Sequence, residues 1–382
     1  MNTVAIDSRR ISDNLNRPTA DAIGLPAAMY TDPGVLAVEH KKLFEGGWVS
    51  VLAAGQLPKP GDVRPVTVAG RPLLVVRDRE NQIRVFHNVC RHRGLKLVTE
   101  AAHSPGVITC AYHCWSYGLD GGLKGTPYLD GTAKSAPPEG MRSQLGLLPV
   151  RSTVWLDTVF VNISGDAQPF DEFIKPLAER WSGFDLSQLK LAESTEFKVA
   201  SNWKFAAENL LDLYHLPWVH AQLGGPETVF HSEPTHLAPD IFGYIMPTFD
   251  AARAETGPTM TLFSPLPKKF EYALDLIWIL PNTGLLLTPS WAQIMIIDSD
   301  APSSSRQILN AYVVGDELLS AGNDEARKGF VDYLNEVNLQ DLSILARLQE
   351  TRQAGEAADA GKFVPQWDDL AIRFYQRVAR AY

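Results

Sequence analysis

Two short runs, Phe86-His87-Asn88-Val89-Cys90-Arg91-His92-Arg93-Gly94 and Cys110-Ala111-Tyr112-His113-Cys114-Trp115, each carry one cysteine and one histidine at close spacing. The pattern reads Cys-x-His, seventeen intervening residues, then Cys-x-x-His. Two thiolates and two imidazoles offered from two loops suit a 2Fe–2S centre in which Cys90 and Cys110 hold one iron and His92 and His113 hold the other. A structural zinc ion takes the same ligand types. Zinc-finger spacing, however, pairs Cys with Cys and His with His, whereas here each loop supplies one of each. The remaining cysteine, Cys114, reads as a small packed residue and not as a ligand.

A second constellation lies in the run Asn202-Trp203-Lys204-Phe205-Ala206-Ala207-Glu208-Asn209-Leu210-Leu211-Asp212-Leu213-Tyr214-His215-Leu216-Pro217-Trp218-Val219-His220. A helix is expected from Asn202 to about Leu216. Asp212 and His215, three residues apart, are about 300° apart around such a helix and so share a face. His220 would point about 140° away from His215 on a straight helix. Pro217, which lacks a backbone donor, is expected to bend the chain between them and let both imidazoles reach one point. A mononuclear Fe(II) centre that activates dioxygen needs two histidines and one carboxylate, with other positions open. Far downstream, Phe330, Leu334, Val337, Leu345 and Leu348 follow one buried helical stripe, and Asp341 falls on it while Asp332 and Glu336 do not. A carboxylate facing a core must be paired or bind metal, so Asp341 is the candidate third ligand, with a buried salt bridge as the alternative.

The elements that must hold these groups are of two kinds. From Trp48 to about Asn162 the chain runs in short β-rich segments (63–68, 73–76, 83–86 and 107–109) separated by Gly and Pro turns, a small all-β module with the Cys/His loops at its tip. The stretch from Asp120 to Gly146 reads as an irregular surface excursion. Beyond Trp181 the signals are mixed α and β. A loop is expected from Leu223 to Pro239, long strands over Phe270–Leu280, Leu285–Ile297 and Gln307–Val314 with two hairpin turns, then helices from about Asn323 to Gln353 and from Trp367 to Tyr382. Ahead of both, residues 1 to about 45 read as a loop and a short helix opened by Asp32-Pro33-Gly34. The expected division is an arm over 1–45, a cluster domain over 46–165 and an α+β catalytic domain over 166–382. Of the other histidines, His40 is expected on an exposed helix face, His87 beside the cluster, His103 between its arms, and His231 and His236 in the loop over the catalytic helix.

Composition sets limits on partners. With 382 residues, 45% of them hydrophobic and 21% charged, the make-up is that of a globular protein of two domains. A net charge of −9 without Lys/Arg runs argues against nucleic acid or an anionic membrane surface. There is no signal-peptide core and no apolar run near eighteen residues, and three cysteines leave no disulfide framework, so a cytoplasmic location is expected.

Taken together, the arm, the Cys-x-His and Cys-x-x-His loops, the run Glu208-Asn209-x-x-Asp212-x-x-His215-x-x-x-x-His220 and Gln340-Asp341 resemble the Rieske non-haem iron oxygenases. The likeness is to the large (alpha) subunit of the ring-hydroxylating and choline/carnitine-monooxygenase-like group. It implies a small all-β Rieske 2Fe–2S domain and a helix-grip (START-like) catalytic domain with an antiparallel sheet. It also implies one cluster and one mononuclear Fe(II) per chain, and a homotrimer in which one subunit's cluster faces its neighbour's iron. Carried over by position, His215, His220 and Asp341 bind iron. Asp212 bridges His215 to His113 of the adjacent subunit as the electron path, and Asn209 joins it among the catalytic residues. Respiratory Rieske proteins carry a further cysteine in each loop, joined as a disulfide; Leu95 and Tyr112 stand at those positions here. A cluster without that bond is expected toward the low end of the Rieske range of about −150 to +300 mV.

The implied function is the terminal oxygenase of a multicomponent system, using O2 to hydroxylate or oxidatively dealkylate a small aromatic or N-alkyl compound, with monooxygenation favoured. The alternatives are a cis-dihydroxylating ring dioxygenase alpha subunit, or, in a different class, a non-catalytic Rieske electron carrier fused to a ligand-binding domain. No strand leads into a Gly-x-Gly-x-x-Gly turn and there are too few cysteines for a plant-type ferredoxin site. NAD(P)H therefore acts only through a separate reductase, with or without a ferredoxin. The substrate pocket is expected to draw on Leu210, Leu211 and the strands carrying Trp278 and Trp291, but strand phase is not readable from the sequence.

Overall fold

A computed structural model describes residues 7–133, 135–223, 231–247, 260–354, 357 and 361–382. The chain forms two compact units, one from residues 48–167 and the other from residues 1–47 together with 168–382. None of the described helices is long and apolar enough to cross a membrane.

The N-terminal arm carries α1 (Ser8–Leu15), α2 (Ala28–Thr31) and α3 (Pro33–Glu39). Sequence reasoning missed α1, a two-turn helix whose side chains are polar except for the buried Ile11 and Leu15. Asp32 caps α3 by accepting from the amides of Gly34 and Val35, with Pro33 in the first turn where its missing donor costs nothing.

In the 48–167 unit, β1 (Val49–Ala53) is followed by β2 (Asp62–Val68), β3 (Arg71–Arg77), β4 (Ile83–His87) and β5 (Ala102–His103), the last four pairing in the order β4-β3-β2-β5. Next come β6 (Val107–Thr109), β7 (Ser116–Gly118) and β8 (Leu123–Gly125) as a three-stranded sheet, then the helix α4 (Glu139–Gln144). β9 (Arg151–Trp155) and β10 (Thr158–Asn162) close a third sheet with β1. The Asp120–Gly146 stretch is thus not wholly irregular, since it contains β8 and α4. Cys90 and Cys110 are part of the core of this unit, packed with Leu74, Phe86, Trp115 and Tyr117.

The other unit resumes with α5 (Phe170–Arg180), β11 (Leu189–Val199), α6 (Trp203–Leu211) and α7 (Leu216–Val219). Then follow β12 (Glu233–Ala238), β13 (Ile241–Met246), β14 (Leu274–Ile279), β15 (Thr283–Leu287), β16 (Trp291–Ala301), β17 (Ser304–Val314), α8 (Asp324–Thr351) and α9 (Asp369–Ala379). Seven strands form one antiparallel sheet in the order β11-β17-β16-β15-β14-β13-β12. The expected strand Leu285–Ile297 is two strands, because Thr288–Ser290 turns the chain back; the Thr288 hydroxyl bonds the Trp291 carbonyl and amide and closes the turn. Within the expected loop Leu223–Pro239, residues 224–230 lie outside the described residues and Glu233–Ala238 is a strand, paired to β13.

Helix α6 lies against β16 and β17 and touches both α8 and α9. It comes so close to the sheet that a Cβ on Gly284 of β15 would sit 2.2 Å from Leu210 Cδ2, so any larger residue there would force the Leu210 side chain to move. The first turn of α6 is tied to the arm through charge. Lys204 and Glu39 are both fully buried, and the ammonium donates to the two carboxylate oxygens at 2.7 and 2.9 Å. Trp203 Nε1 and the Tyr382 hydroxyl complete that carboxylate's shell at 2.8 and 3.0 Å. Burial pulls the Lys204 ammonium below its ordinary range and Glu39 opposes that pull. His40, expected on an exposed face, is half-buried and bonded to Ser299 at 3.1 Å.

Removing one member of a buried ion pair strands the other in the core at a cost of about 3–5 kcal/mol, whereas replacing both by apolar groups restores much of it. Lys204→Met should therefore lower the urea midpoint strongly, and Glu39→Met/Lys204→Met should recover most of the loss. A double variant as unstable as the single one would show that the pair is not the cause.

Candidate metal centres

In the 48–167 unit the two ligand loops share a backbone plan that their sequences conceal. The Cys90 amide donates to the Leu95 carbonyl and the Cys110 amide to the Trp115 carbonyl, both at 2.8 Å. Four residues on from each cysteine, Gly94 and Cys114 donate back to the cysteine carbonyls at 2.9 and 3.0 Å. Both residues have positive φ, 75° and 55°. Cys114 therefore occupies the left-handed position that Gly94 fills in the first loop, and it is exposed instead of packed as the sequence suggested. The histidine stands two residues after the cysteine in the first loop and three in the second.

The cysteines are buried and the two imidazoles exposed. The His92 and His113 ring centroids are 4.7 Å apart, and His92 stacks on Trp115 at 4.7 Å. Tyr117 lies 3.3 Å from Cys90 Sγ through its hydroxyl, which also accepts from the Arg91 amide at 3.0 Å. Burial raises the Cys110 thiol above its ordinary range, so a thiolate there requires a bound cation. Two thiols in the core and two imidazoles at the surface match the division of a two-iron cluster, with cysteines on one iron and histidines on the other. Leu95 and Tyr112 are both exposed.

A second group, His215, His220 and Asp341 in the other unit, has its ligand atoms within 4.8 Å of one another. Its geometry comes from a break in the chain, but not at the place the sequence suggested. Helix α6 stops at Leu211 and Asp212 is its C-cap, in extended conformation. Asp212 Oδ1 accepts from the Tyr214 amide at 2.7 Å, a side-chain bond that competes with continuing the helix. His215 then caps α7, and Pro217 sits in the first turn of that new helix instead of breaking an old one. Asp212 and His215 are neighbours through this turn: Oδ2 lies 3.4 Å from His215 Nδ1, without hydrogen-bond alignment.

The two Nε2 atoms are 3.3 Å apart, and Asp341 Oδ1 lies 3.1 Å from His220 Nε2 and 3.6 Å from His215 Nε2. That oxygen is buried and accepts no hydrogen bond. Three ligand atoms turned inward with an orphaned carboxylate oxygen among them form one face of a coordination shell for Fe(II). Asn209 Nδ2 lies 3.4 Å from His215 Nε2. Burial opposes protonation of His220, but the Asp341 carboxylate and Gln340 outweigh it and hold the imidazole above its ordinary range, a sign of how strongly the site attracts positive charge.

Gln340, to which sequence reasoning assigned no role, receives His220 Nδ1 at 2.7 Å and the Gln222 amide at 2.9 Å on its Oε1. This fixes the tautomer that leaves Nε2 free for metal. On α8, Phe330, Leu334 and Leu345 are buried with Asp341, while Asp332 and Glu336 are exposed. Leu348 is exposed, contrary to expectation, and Gln349 takes its place on the stripe, bonding the Tyr30 carbonyl and the Asn202 amide. Behind the site, burial pushes the Glu208 carboxyl up to about 7, where it accepts from Tyr375.

A cavity of about 140 Å³ opens on the triad. Leu210 and both expected strands line it, the strand of Trp278 through Leu274 and Leu276 and that of Trp291 through Trp291, Gln293 and Met295, but Leu211 does not; Leu211 and Trp278 are fully buried, Trp278 edge-on to Phe374. The sheet supplies one wall, with Leu274 and Leu276 of β14, Leu286 of β15, Met295 of β16 and Leu309 of β17, and α6, α8 and the segment around His215 supply the rest. His231 and His236 are exposed and do not reach it.

Comparison with known proteins bears on both units. The family model described as ring hydroxylating alpha subunit (catalytic domain) matches residues 186–382, and that of the Rieske [2Fe-2S] domain matches residues 47–137. The chain is 31% identical over 199 residues to the glycine betaine monooxygenase oxygenase subunit of Chromohalobacter salexigens, a stretch covering 52% of this chain and 43% of the relative. It thus spans less than half the length of that relative. It is 24% identical over 348 residues to the carnitine monooxygenase oxygenase subunit of Escherichia coli, covering 89% of this chain and 87% of that one. Among solved structures, a quaternary ammonium Rieske monooxygenase superposes with a TM-score of 0.78 at 21% identity, covering 97% of this chain and 98% of that chain. Naphthalene 1,2-dioxygenase from Rhodococcus sp. does so with 0.75 at 16% identity, covering 98% and 97%. Likeness at these identities establishes the fold.

Losing the outer partner of a metal-binding histidine typically costs 10- to 100-fold in metal affinity. Gln340→Leu should weaken Fe(II) binding at the triad by about that factor, measured by iron titration, and leave the cluster spectrum intact. Cys114→Gly should keep the cluster absorbance and raise stability by about 1 kcal/mol through relief of the left-handed strain; loss of the absorbance would make Cys114 a ligand.

Proposed function

The chain belongs to the ring-hydroxylating alpha-subunit family of Rieske non-haem iron oxygenases, and on that premise we propose that it is the terminal oxygenase of a multicomponent system. It hydroxylates or oxidatively dealkylates a small aromatic or N-alkyl compound, inserting one atom of O2. The observation that carries this reading is the triad itself: two imidazole nitrogens and one orphaned carboxylate oxygen at 3.1–3.6 Å under an apolar cavity. The match along 87% of the carnitine monooxygenase subunit supports monooxygenation.

Iron held by His215, His220 and Asp341 supplies open positions for dioxygen, and a cluster held by Cys90, Cys110, His92 and His113 supplies electrons one at a time. The protein's own part is positioning. Gln340 locks the His220 ring, and Asp212 stands against the outer edge of the His215 ring, where an electron from His113 of a neighbouring copy in a homotrimer would enter. Leucine and methionine side chains of the sheet exclude water from the cavity, so reducing equivalents are spent on the bound molecule. Those equivalents come from NAD(P)H through a separate reductase, because the chain carries no flavin or nicotinamide motif.

Reductase-coupled oxygen uptake against N-alkyl amines, anilides and aromatic acids tests this directly. Asp341→Ala and His215→Ala should each abolish substrate-dependent uptake, with iron falling from about three to about two per chain and the cluster spectrum unchanged. Loss of the spectrum together with uptake would refute two separate centres, and uptake unaffected by either change would remove the triad from the chemistry.

A further inference from the structure

Two carboxamides face the cavity with hydrogen-bonding atoms that the protein does not use. Gln307 of β17 is 3% exposed, and its Oε1 has no partner. Its Nε2 has only the Met295 sulfur at 3.9 Å. Asn338 of α8 is 5% exposed, and its Nδ2 has no partner. Both line the cavity, and Asn338 precedes Asp341 by three residues, so the two share a helix face. A buried donor or acceptor left unmade is costly, and an apolar residue of similar shape would avoid that cost. Met295 and Leu309 flank Gln307 in the wall and Leu334 and Val337 flank Asn338, so the unused atoms of these two amides call for a partner that arrives from outside the protein.

The rest of the lining narrows what that partner is. Among the described residues that line the cavity there is no lysine or arginine, no histidine beyond the two triad members and no carboxylate beyond Asp341. Aromatic faces are limited to Trp291 and the partly exposed Tyr333. A quaternary ammonium ion is held by several aromatic faces around the cation. A carboxylate taken out of water needs a cation or several donors. A zwitterion carrying both finds no cationic side chain and no cage of aromatic faces here, although relatives of the chain bear the names of carnitine and glycine betaine oxygenases.

We propose that Gln307 and Asn338 are the specificity-determining residues of this cavity and select an uncharged, largely apolar molecule of the secondary-amide class over a quaternary ammonium zwitterion. The amide N–H donates to Gln307 Oε1, and the amide carbonyl accepts from Asn338 Nδ2. The hydrocarbon part lies against Leu276, Leu286 and Leu309. A cavity near 140 Å³ is on the scale that takes one aromatic ring. This inference rests on the oxygenase reading for its meaning, but not for its test.

The test is equilibrium binding to the iron- and cluster-loaded protein without oxygen, by calorimetry, with acetanilide, ethylbenzene, L-carnitine and glycine betaine as probes. Acetanilide should bind the wild type at least about 100-fold more tightly than either zwitterion, since charged groups buried without partners are strongly disfavoured. Gln307→Leu and Asn338→Leu should each weaken acetanilide about tenfold or more and leave ethylbenzene equal or tighter, as expected when one hydrogen bond is removed from a buried site. The cluster spectrum of each variant reports that it has folded. Zwitterions binding as tightly as acetanilide, no acetanilide binding at millimolar concentration, or folded variants that lose no preference for acetanilide over ethylbenzene would each overturn the proposal. The last would mean that the amides serve ordered water only. If a variant fails to fold, the wild-type order of the four probes still decides. Oxygen uptake is measured separately, so tight amide binding without turnover would refute the oxygenase reading and leave the specificity inference standing.

Discussion

Asp341 Oδ1 is buried, accepts no hydrogen bond, and lies 3.1 and 3.6 Å from two imidazole nitrogens. An anionic oxygen in that position is tolerable only with a cation against it, and the catalytic unit is arranged around that requirement. Helix α8 brings the carboxylate to the cavity on its buried stripe. The break between α6 and α7 folds His215 and His220 toward it from the opposite side. The sheet supplies a floor that gives the anion no competing partner. Taking α6 deeper or shallower would move both histidines; its seat is marked by the close approach of Leu210 to Gly284 and by the buried Glu39–Lys204 pair at its first turn.

The other centre answers the opposite need. Its cysteines are built into a hydrophobic core while its histidines remain exposed. A cluster held by these four side chains would have its thiolates in the dry core and its imidazoles at the surface. The matched backbone of the two loops explains why one chain can present ligand pairs so alike from sequences so different. In each, a hydrogen bond closes the turn four residues after the cysteine, and a left-handed residue makes that closure possible.

Much of this was legible in the residues. The ligand types and spacings selected the metals, because thiolate and imidazole choices depend on chemistry that a sequence states outright. The phase of α8 was legible at Asp341, since helical periodicity is nearly rigid over two or three turns; it failed seven residues later at Leu348, where the arm's backbone at Tyr30 recruits Gln349 in its place. Polar residues on the same stripe, Asn338 above all, carried the signal that singled out Asp341 and passed unremarked. A bend was expected between the histidines at Pro217, but the break lies before both, and the short helix α7 carries His215 and His220 at its two ends. A proline in the first turn of a helix looks in sequence like one that interrupts a helix, and only the Asp212 side chain bonding the Tyr214 amide shows where the helix ends.

The sequence by itself pointed to two candidate metal-binding donor sets and to the order of the small β module and the mixed domain, because these follow from residue chemistry and local periodicity. The tertiary structure alone decided which side chains wall the cavity. Strand phase has a period of two, so one residue of slip exchanges every inward side chain for an outward one. The pairing of β14 to β17 turns Leu276, Leu286, Met295 and Gln307 inward. It also brings residues from distant parts of the chain to one point, and that convergence, unlike a ligand type, is written in no single segment.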